Sequence, residues 1–125
     1  MCLEVYGSRV RYKIADKDIK VYKRLTLRNR SPYQYFLYKE NRTYQSSKPM
    51  KASRDSWLDD CWSIHEGLHA HLHFRPAQFL AASERVSQKV VEMIIPKGTR
   101  YVLGCNYDIV ADKMRVNSLQ GIISL

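Results

Sequence analysis

Two stretches near the N-terminus show the apolar and polar alternation of strands with one wet face. The first runs from Val10 to Ile14, where the intervening positions are basic. The second runs from Ile19 to Leu27, with Val21 and Leu25 in phase with its two ends. We predict a strand for each stretch and a turn over residues 15–18.

A third stretch alternates more strictly and precedes a helical pattern. From Leu68 to Phe74 every second residue is apolar, and the residues between them are His69, His71 and His73. This predicts a strand with three histidines on one face. The segment from Pro76 to Val86 has the Ala, Leu and Glu content of a helix, and proline is tolerated in a first helical turn.

The C-terminal third predicts further strands. β-Branched residues from Val90 to Ile95, a Pro-Lys-Gly turn signal and renewed alternation predict a hairpin over 88–104. A last strand is expected from Lys113 to Leu119, and residues 45–56, rich in Ser, Lys and Pro, are expected to form a loop. The predicted fold class is α+β: a mostly antiparallel sheet of five or six strands with one principal helix.

Length and composition limit the classes of protein that remain. With 125 residues, 45% of them hydrophobic and 26% charged, the chain matches a single globular domain spanning 1–125. No apolar run reaches the roughly 20 residues that cross a bilayer. The N-terminus does not resemble a secretory signal, and three widely spaced cysteines suggest no disulfide framework. We therefore expect a cytoplasmic protein that does not enter membranes.

The excess of positive over negative charge is confined to the first half of the sequence. Residues 1–55 hold 14 Lys or Arg against 5 Asp or Glu, whereas residues 56–125 hold 7 of each class. Arg24, Arg28 and Arg30 belong to the basic half, which also contains Tyr35 in an aromatic run. Basic groups attract phosphates and aromatic rings stack on bases, so this half predicts a binding protein for a phosphate-bearing ligand, nucleotide or nucleic acid. A solvated basic face with no ligand is the alternative.

The histidine-rich strand suggests a second kind of site. Imidazoles at alternate positions of a strand lie close together, and neutral imidazole is a ligand of zinc, copper and iron. No further ligand is identifiable in the sequence, so we assign no metal and interpret this face as exposed to water. A metal site remains a further alternative function.

Three segments occur in an order that suggests an enzyme. They are Val21-Tyr22-Lys23, Gly67-Leu68-His69-Ala70-His71 and Glu92-Met93-Ile94-Ile95-Pro96-Lys97-Gly98-Thr99-Arg100-Tyr101. Their order resembles that of ADP-ribosyltransferases, although Lys23 stands where that family has Arg and the histidines replace a Ser-Thr-Ser strand. The resemblance implies NAD as the cofactor, Glu92 as the catalytic carboxylate, and Tyr22 and Lys23 as nicotinamide and phosphate contacts. Otherwise Glu92 is an outward residue on a structural hairpin.

The whole chain also resembles short proteins carried by phages and mobile elements of gut bacteria. The shared features are an early Met-Cys-Leu, a Val-Tyr-Lys strand, a Ser-Pro-Tyr segment, a Gly-Leu-His-Ala turn and an Ile-Pro-Lys-Gly hairpin. This resemblance implies an accessory role in a host cell and points to no particular activity.

Overall fold

Strands dominate the part of the chain that the computed structural model describes, which is residues 3–6, 10–32, 36–54, 61–105 and 107–122. These residues form β1 (Leu3–Tyr6), β2 (Lys13–Ile14), β3 (Ile19–Thr26), β4 (Arg42–Gln45), β5 (Ala52–Arg54), β6 (Cys61–Ile64), β7 (Leu68–His71), α1 (Phe74–Ala82), β8 (Gln88–Ile95), β9 (Arg100–Leu103), β10 (Asp108–Ala111) and β11 (Lys113–Val116). The fold is α+β and mostly antiparallel.

A long bent ribbon organises the larger sheet. β2 pairs with β9 and β3 pairs with β8, and both pairs keep one register across the bend between them. At the bend the amide of Ala15 donates to the carbonyl of Thr99 at 2.9 Å, and the amide of Gly98 donates to the carbonyl of Ala15 at 2.7 Å. β10 and β7 lie between β9 and β3, which gives the order β2-β9-β10-β7-β3-β8-β11-β4.

This topology corrects two predictions. The 88–104 hairpin is wrong, because β8 pairs with β3 and β11 while β9 pairs with β2 and β10. The prediction of five or six strands is also too low, because the described residues form eleven strands in two sheets. One of them, β5, lies within the segment 45–56 that was predicted as a loop, and it joins β1 and β6 in the smaller sheet.

The helix α1 forms two residues earlier and ends four residues earlier than its pattern predicts. Phe74, Ala77 and Ala81 recur at helical spacing and are buried, and they pack on Tyr22 and Val90 of the sheet. The ring of Phe74 meets that of Tyr22 edge-on at 5.9 Å between centroids, a favoured aromatic geometry. Within the described residues, no helix combines the length and apolar content needed to cross a membrane.

The two faces of the larger sheet bury different clusters. Val21 and Leu25 of β3 pack with Val91 and Met93 of β8 in the main core, each fully buried. Removing such side chains from water contributes about 1.5–3 kcal/mol apiece. Tyr22 and Arg24 alternate with them and face α1 instead, so Lys23 is placed on the side of the main core.

Substitution of Gly67, the residue that leads into β7, is expected to have a measurable cost in packing. Its φ is +107°, and an added Cβ would lie 2.6 Å from Val110 Cγ2 and 2.9 Å from Met50 Cγ. We expect Gly67→Ala to lower the free energy of unfolding by about 3 kcal/mol, from backbone strain and overpacking together. Gly98→Ala is the control, because Gly98 has φ +88° with no atom within 4 Å, and about 1–2 kcal/mol is expected there. Equal costs in urea denaturation would contradict this packing argument.

Candidate functional site

A cleft opens where β3 and β7 part. The two strands pair at Tyr22 and His71, and no further pair joins them. Its lining residues are Lys23, Arg24, Ser31, Pro32, Tyr38, Gly67, Leu68, His69, Ala70 and His71. The cavity at its base measures about 50 Å³. Since one water needs about 10–15 Å³ on this measure, the cavity admits a few waters or one small oxyanion.

Lys23 places an ammonium at the inner end of this cleft. The residue is only 8% exposed, its Nζ donates to the carbonyl of His69, and it lies 5.6 Å from the centre of the Tyr38 ring. No carboxylate of the described residues forms an ion pair with it. Burial, and secondarily the charge of Arg24, lowers the pKa of Lys23 to about 8. The cleft therefore contains a cation that no carboxylate of the described residues neutralises.

Arg24, in contrast, is held in a polar chain. Its Nε donates to Nε2 of His71 at 3.2 Å, and its guanidinium is 3.4 Å from the carboxylate of Glu84. Because an arginine only donates, His71 accepts at Nε2 and donates from Nδ1 to Asp108 at 2.8 Å. These contacts fix the His71 tautomer and orient the Arg24 side chain beside the cleft.

His69 is fixed in the opposite tautomer. Its Nε2 donates to the carbonyl of His65 at 3.1 Å, so Nδ1 is left as an acceptor. That nitrogen is buried and, within the described part of the chain, has no hydrogen-bond partner. Burial lowers the pKa of His69 to about 4, opposed by the hydrogen bond to His65 and assisted by the charge of Lys23.

Ser31 and Tyr38 complete the site, and the sequence did not single them out. The Ser31 hydroxyl accepts from the amide of Phe36 at 3.0 Å, which leaves its own hydrogen to donate. Tyr38 is buried and packs edge-on with Phe36 and Tyr44. Ser31 directly follows residues 28–30, which end the strand. When a chain reverses direction after a strand, the next residues pack beside that strand. The turn after β3 could therefore have indicated that Ser31 lies near Lys23.

Glu92 does not reach the cleft. It pairs with Tyr22, which also pairs with His71, so the three residues form a row across β8, β3 and β7. The Glu92 side chain is 40% exposed, lies 3.9 Å from Lys20, and borders a separate depression with residues 117–122. Tyr22 is buried beneath Phe74. The structure therefore brings Lys23, Arg24, His69 and His71 together and leaves Glu92 apart.

The described basic residues of the N-terminal half lie on several different elements of the fold. Lys13 lies on β2 and Arg42 on β4, which are the opposite edges of the larger sheet. Arg28 and Arg30 are exposed beside a depression that Val86 also lines, away from the cleft. Tyr35 lies outside the described residues. The candidate binding site is therefore identified from two buried cations, Lys23 and Arg24, and not from the total charge of the N-terminal half.

The three histidines do not share a wet face as predicted. His69 and His71 are buried at 8% and 2% exposure, because α1 and the smaller sheet cover this side. His73 lies beyond the end of β7, where its ring contacts Tyr107. Among the described residues no group of three His, Cys, Asp or Glu side chains is arranged to hold a metal ion.

The chain was also compared with known proteins. The comparison with protein-family models, with curated proteins and with solved structures finds no match. The interpretation of the cleft therefore depends on its own residues. Those residues supply a buried ammonium from Lys23, an oriented guanidinium from Arg24 and a hydroxyl donor from Ser31.

Proposed function

We propose that this protein binds a small anionic ligand, a phosphate or a phosphate-bearing compound, in the cleft between β3 and β7. The observation that carries the proposal is the buried Lys23 ammonium, which no carboxylate of the described residues neutralises. A buried charge without a counter-ion is destabilising. A bound oxyanion would supply the missing charge.

The other cleft residues support an anion rather than a cation or an apolar ligand. Lys23 donates one of its three N–H groups to the His69 carbonyl. Two N–H groups remain to donate to a ligand, and one side of the ammonium faces the Tyr38 ring. Ser31 adds a hydroxyl donor, and the buried Arg24 also lines the cleft. Charge-assisted hydrogen bonds of this kind are about twice as strong as neutral ones.

The size of the cavity favours one phosphate group over a polymer. About 50 Å³ accommodates a single tetrahedral oxyanion, so any nucleoside attached to it would lie outside the cavity. A nucleic-acid strand would need a continuous basic track. The exposed Lys13 and Arg42 instead lie on β2 and β4, the two edge strands of the larger sheet, and the exposed Lys20 lies on β3 between them.

The ADP-ribosyltransferase-like interpretation has one supporting feature, the row formed by Glu92, Tyr22 and His71. A catalytic carboxylate must lie near the ligand that it acts on. Glu92 borders a different depression from the one that contains Lys23. We therefore place the anion-binding proposal first and include NAD among the ligands to be tested.

Isothermal titration with inorganic phosphate, a nucleoside monophosphate, NAD and a short oligonucleotide, each at two ionic strengths, tests the proposal. We expect phosphate or the monophosphate to bind the wild type. Lys23→Met should weaken that binding by about tenfold or more, because it removes the cation that pairs with the ligand. Lys20→Met is the matched control, since Lys20 lies on the same strand with its side chain 57% exposed, and it should leave the affinity unchanged. Absence of binding by every ligand, or equal loss in both variants, would refute the proposal.

A further inference from the structure

The side-chain nitrogen of Lys23 lies at the wall of the cavity and not in bulk water. The residue is 8% exposed, and Nζ contacts the carbonyl of His69 and the ring of Tyr38. Both of those residues line the cavity of about 50 Å³, so a small molecule in that space would lie beside Nζ. No carboxylate of the described residues holds this nitrogen in its charged form through an ion pair.

These surroundings favour the neutral amine. Burial, followed by the charge of Arg24, lowers the pKa of Lys23 to about 8. About one-tenth of the Lys23 side chains are therefore neutral at pH 7, compared with roughly 0.04% for an ordinary lysine. The neutral amine is the nucleophilic form, and desolvation or a neighbouring cation is how proteins activate a lysine towards carbonyl compounds.

We propose that Lys23 is a nucleophile that forms an imine, within the cavity between β3 and β7, with a small carbonyl compound that bears a carboxylate. The volume of the cavity limits this compound to a few non-hydrogen atoms, as in a short 2-oxo acid. The charge of Arg24 acts on Lys23 and persists when the amine is neutral, so it favours a ligand with negative charge. The inference goes beyond the proposed function, since it does not require phosphate to bind.

The reaction involves no oxidation or reduction. The lone pair of neutral Nζ forms a bond to the carbonyl carbon, the C=O π pair moves to the oxygen, and a proton passes from nitrogen to that oxygen. The nitrogen lone pair then forms the C=N bond while the oxygen leaves with the second N–H proton, so the products are the imine and one water. When it is protonated, the imine has one N–H that can remain on the His69 carbonyl, where Nζ already donates.

Reductive trapping tests the nucleophile. The protein is incubated near neutral pH with limiting glyoxylate and cyanoborohydride, which delivers hydride to the imine carbon and leaves a carboxymethyl group on the nitrogen. Peptide mass spectrometry then compares Lys23 with Lys20, which lies on the same strand with its side chain 57% exposed. We expect at least about tenfold more label on Lys23, because a larger fraction of it is neutral. Label on Lys23 equal to or below that on Lys20 would overturn the inference.

Unfolding provides a control for the local sequence. In concentrated urea both lysines are exposed, so the preference for Lys23 should disappear. A preference that persists in urea would belong to the neighbouring residues in the sequence and would overturn the assignment to the cavity.

A second aldehyde tests the ligand class. Glycolaldehyde is similar in size to glyoxylate and has no carboxylate. The ratio of label on Lys23 to label on Lys20 should be larger with glyoxylate, and equal ratios would overturn the assignment of an acid group.

Phosphate separates this inference from the proposed function. Bound phosphate should lower the label on Lys23 and leave Lys20 unchanged, because it would occupy the same cavity. Phosphate that binds without protecting Lys23 would overturn the placement of the reaction in this cavity. If phosphate binds and Lys23 is not labelled preferentially, this inference fails and the proposed function stands. If Lys23 is labelled preferentially and neither phosphate nor any phosphate-bearing compound binds, the proposed function fails and this inference stands.

Discussion

Replacing Lys23 with methionine is expected to make the ligand-free protein more stable while it weakens anion binding by about tenfold or more. The pKa of Lys23 falls from 10.5 to about 8 on folding, which corresponds to about 3 kcal/mol of unfavourable free energy at neutral pH. Methionine has a similar length and no charge to desolvate. After the loss of the hydrogen bond to the His69 carbonyl, worth about 1 kcal/mol, we expect a net gain of about 1–3 kcal/mol in the free energy of unfolding in urea.

The pH dependence of that gain provides its control. A lysine with a lowered pKa in the folded state binds fewer protons than the unfolded chain between about pH 8 and 10.5, so the wild type gains stability as pH rises through this window. The difference between Lys23→Met and wild type should be constant below the window and shrink across it. Lys20→Met, whose charge is exposed, should show neither effect. A Lys23→Met protein less stable than wild type at neutral pH would contradict the account.

Acidification is expected to destabilise the protein through His69. Burial lowers the pKa of this imidazole from 6.5 to about 4, so between these values the unfolded chain takes up a proton that the folded protein does not. The contribution of neutral His69 to the free energy of unfolding is therefore complete above about pH 6.5. It decreases as the pH falls and is lost below about pH 4. The expected loss is about 3 kcal/mol.

Urea denaturation at several pH values between 4 and 7 measures this loss. His69→Asn should flatten the dependence of unfolding free energy on pH by most of that amount. His65→Asn, which removes an exposed imidazole four residues away, should retain the wild-type slope. If His69→Asn and wild type lost stability in parallel, His69 would not be the group that titrates.

The elements best predicted from the sequence are those whose signal is local. β3 follows from apolar residues at every second position, and the first turns of α1 follow from apolar residues three to four positions apart. Both elements form where those spacings occur. The 88–104 hairpin failed for the opposite reason. Pro96-Lys97-Gly98 does form a turn between β8 and β9, but β10 and β7 lie between the pair β2–β9 and the pair β3–β8 in the sheet. Pairing among distant segments has no signature in the turn itself.

The candidate site was predicted in part. Lys23 and His69 were identified through a resemblance to ADP-ribosyltransferases, whereas the physical reason for their importance is burial. That burial had a sequence signal, because Lys23 is in phase with Val21 and Leu25, the apolar residues of its strand. The exposure of the histidine strand was wrong, because the alternation within that strand does not show that α1 and the smaller sheet pack over its histidine face.

Overall charge was the least informative property. A net charge of +9 suggested a single basic surface, but strand order separates Lys13 from Arg42 by the full width of the sheet. Charge becomes informative here only after the fold shows which cations are withdrawn from water. Lys23 and Arg24 are those residues in the cleft, at 8% and 6% exposure.

The titration of the Lys23 side chain by NMR, with and without phosphate, measures the proposed interaction most directly. Without phosphate we expect the Nζ resonance to titrate near pH 8, and with saturating phosphate the pKa should rise by about one unit or more, because the anion stabilises the ammonium. A Lys23 pKa that phosphate leaves unchanged would contradict the claim that this buried cation holds the ligand.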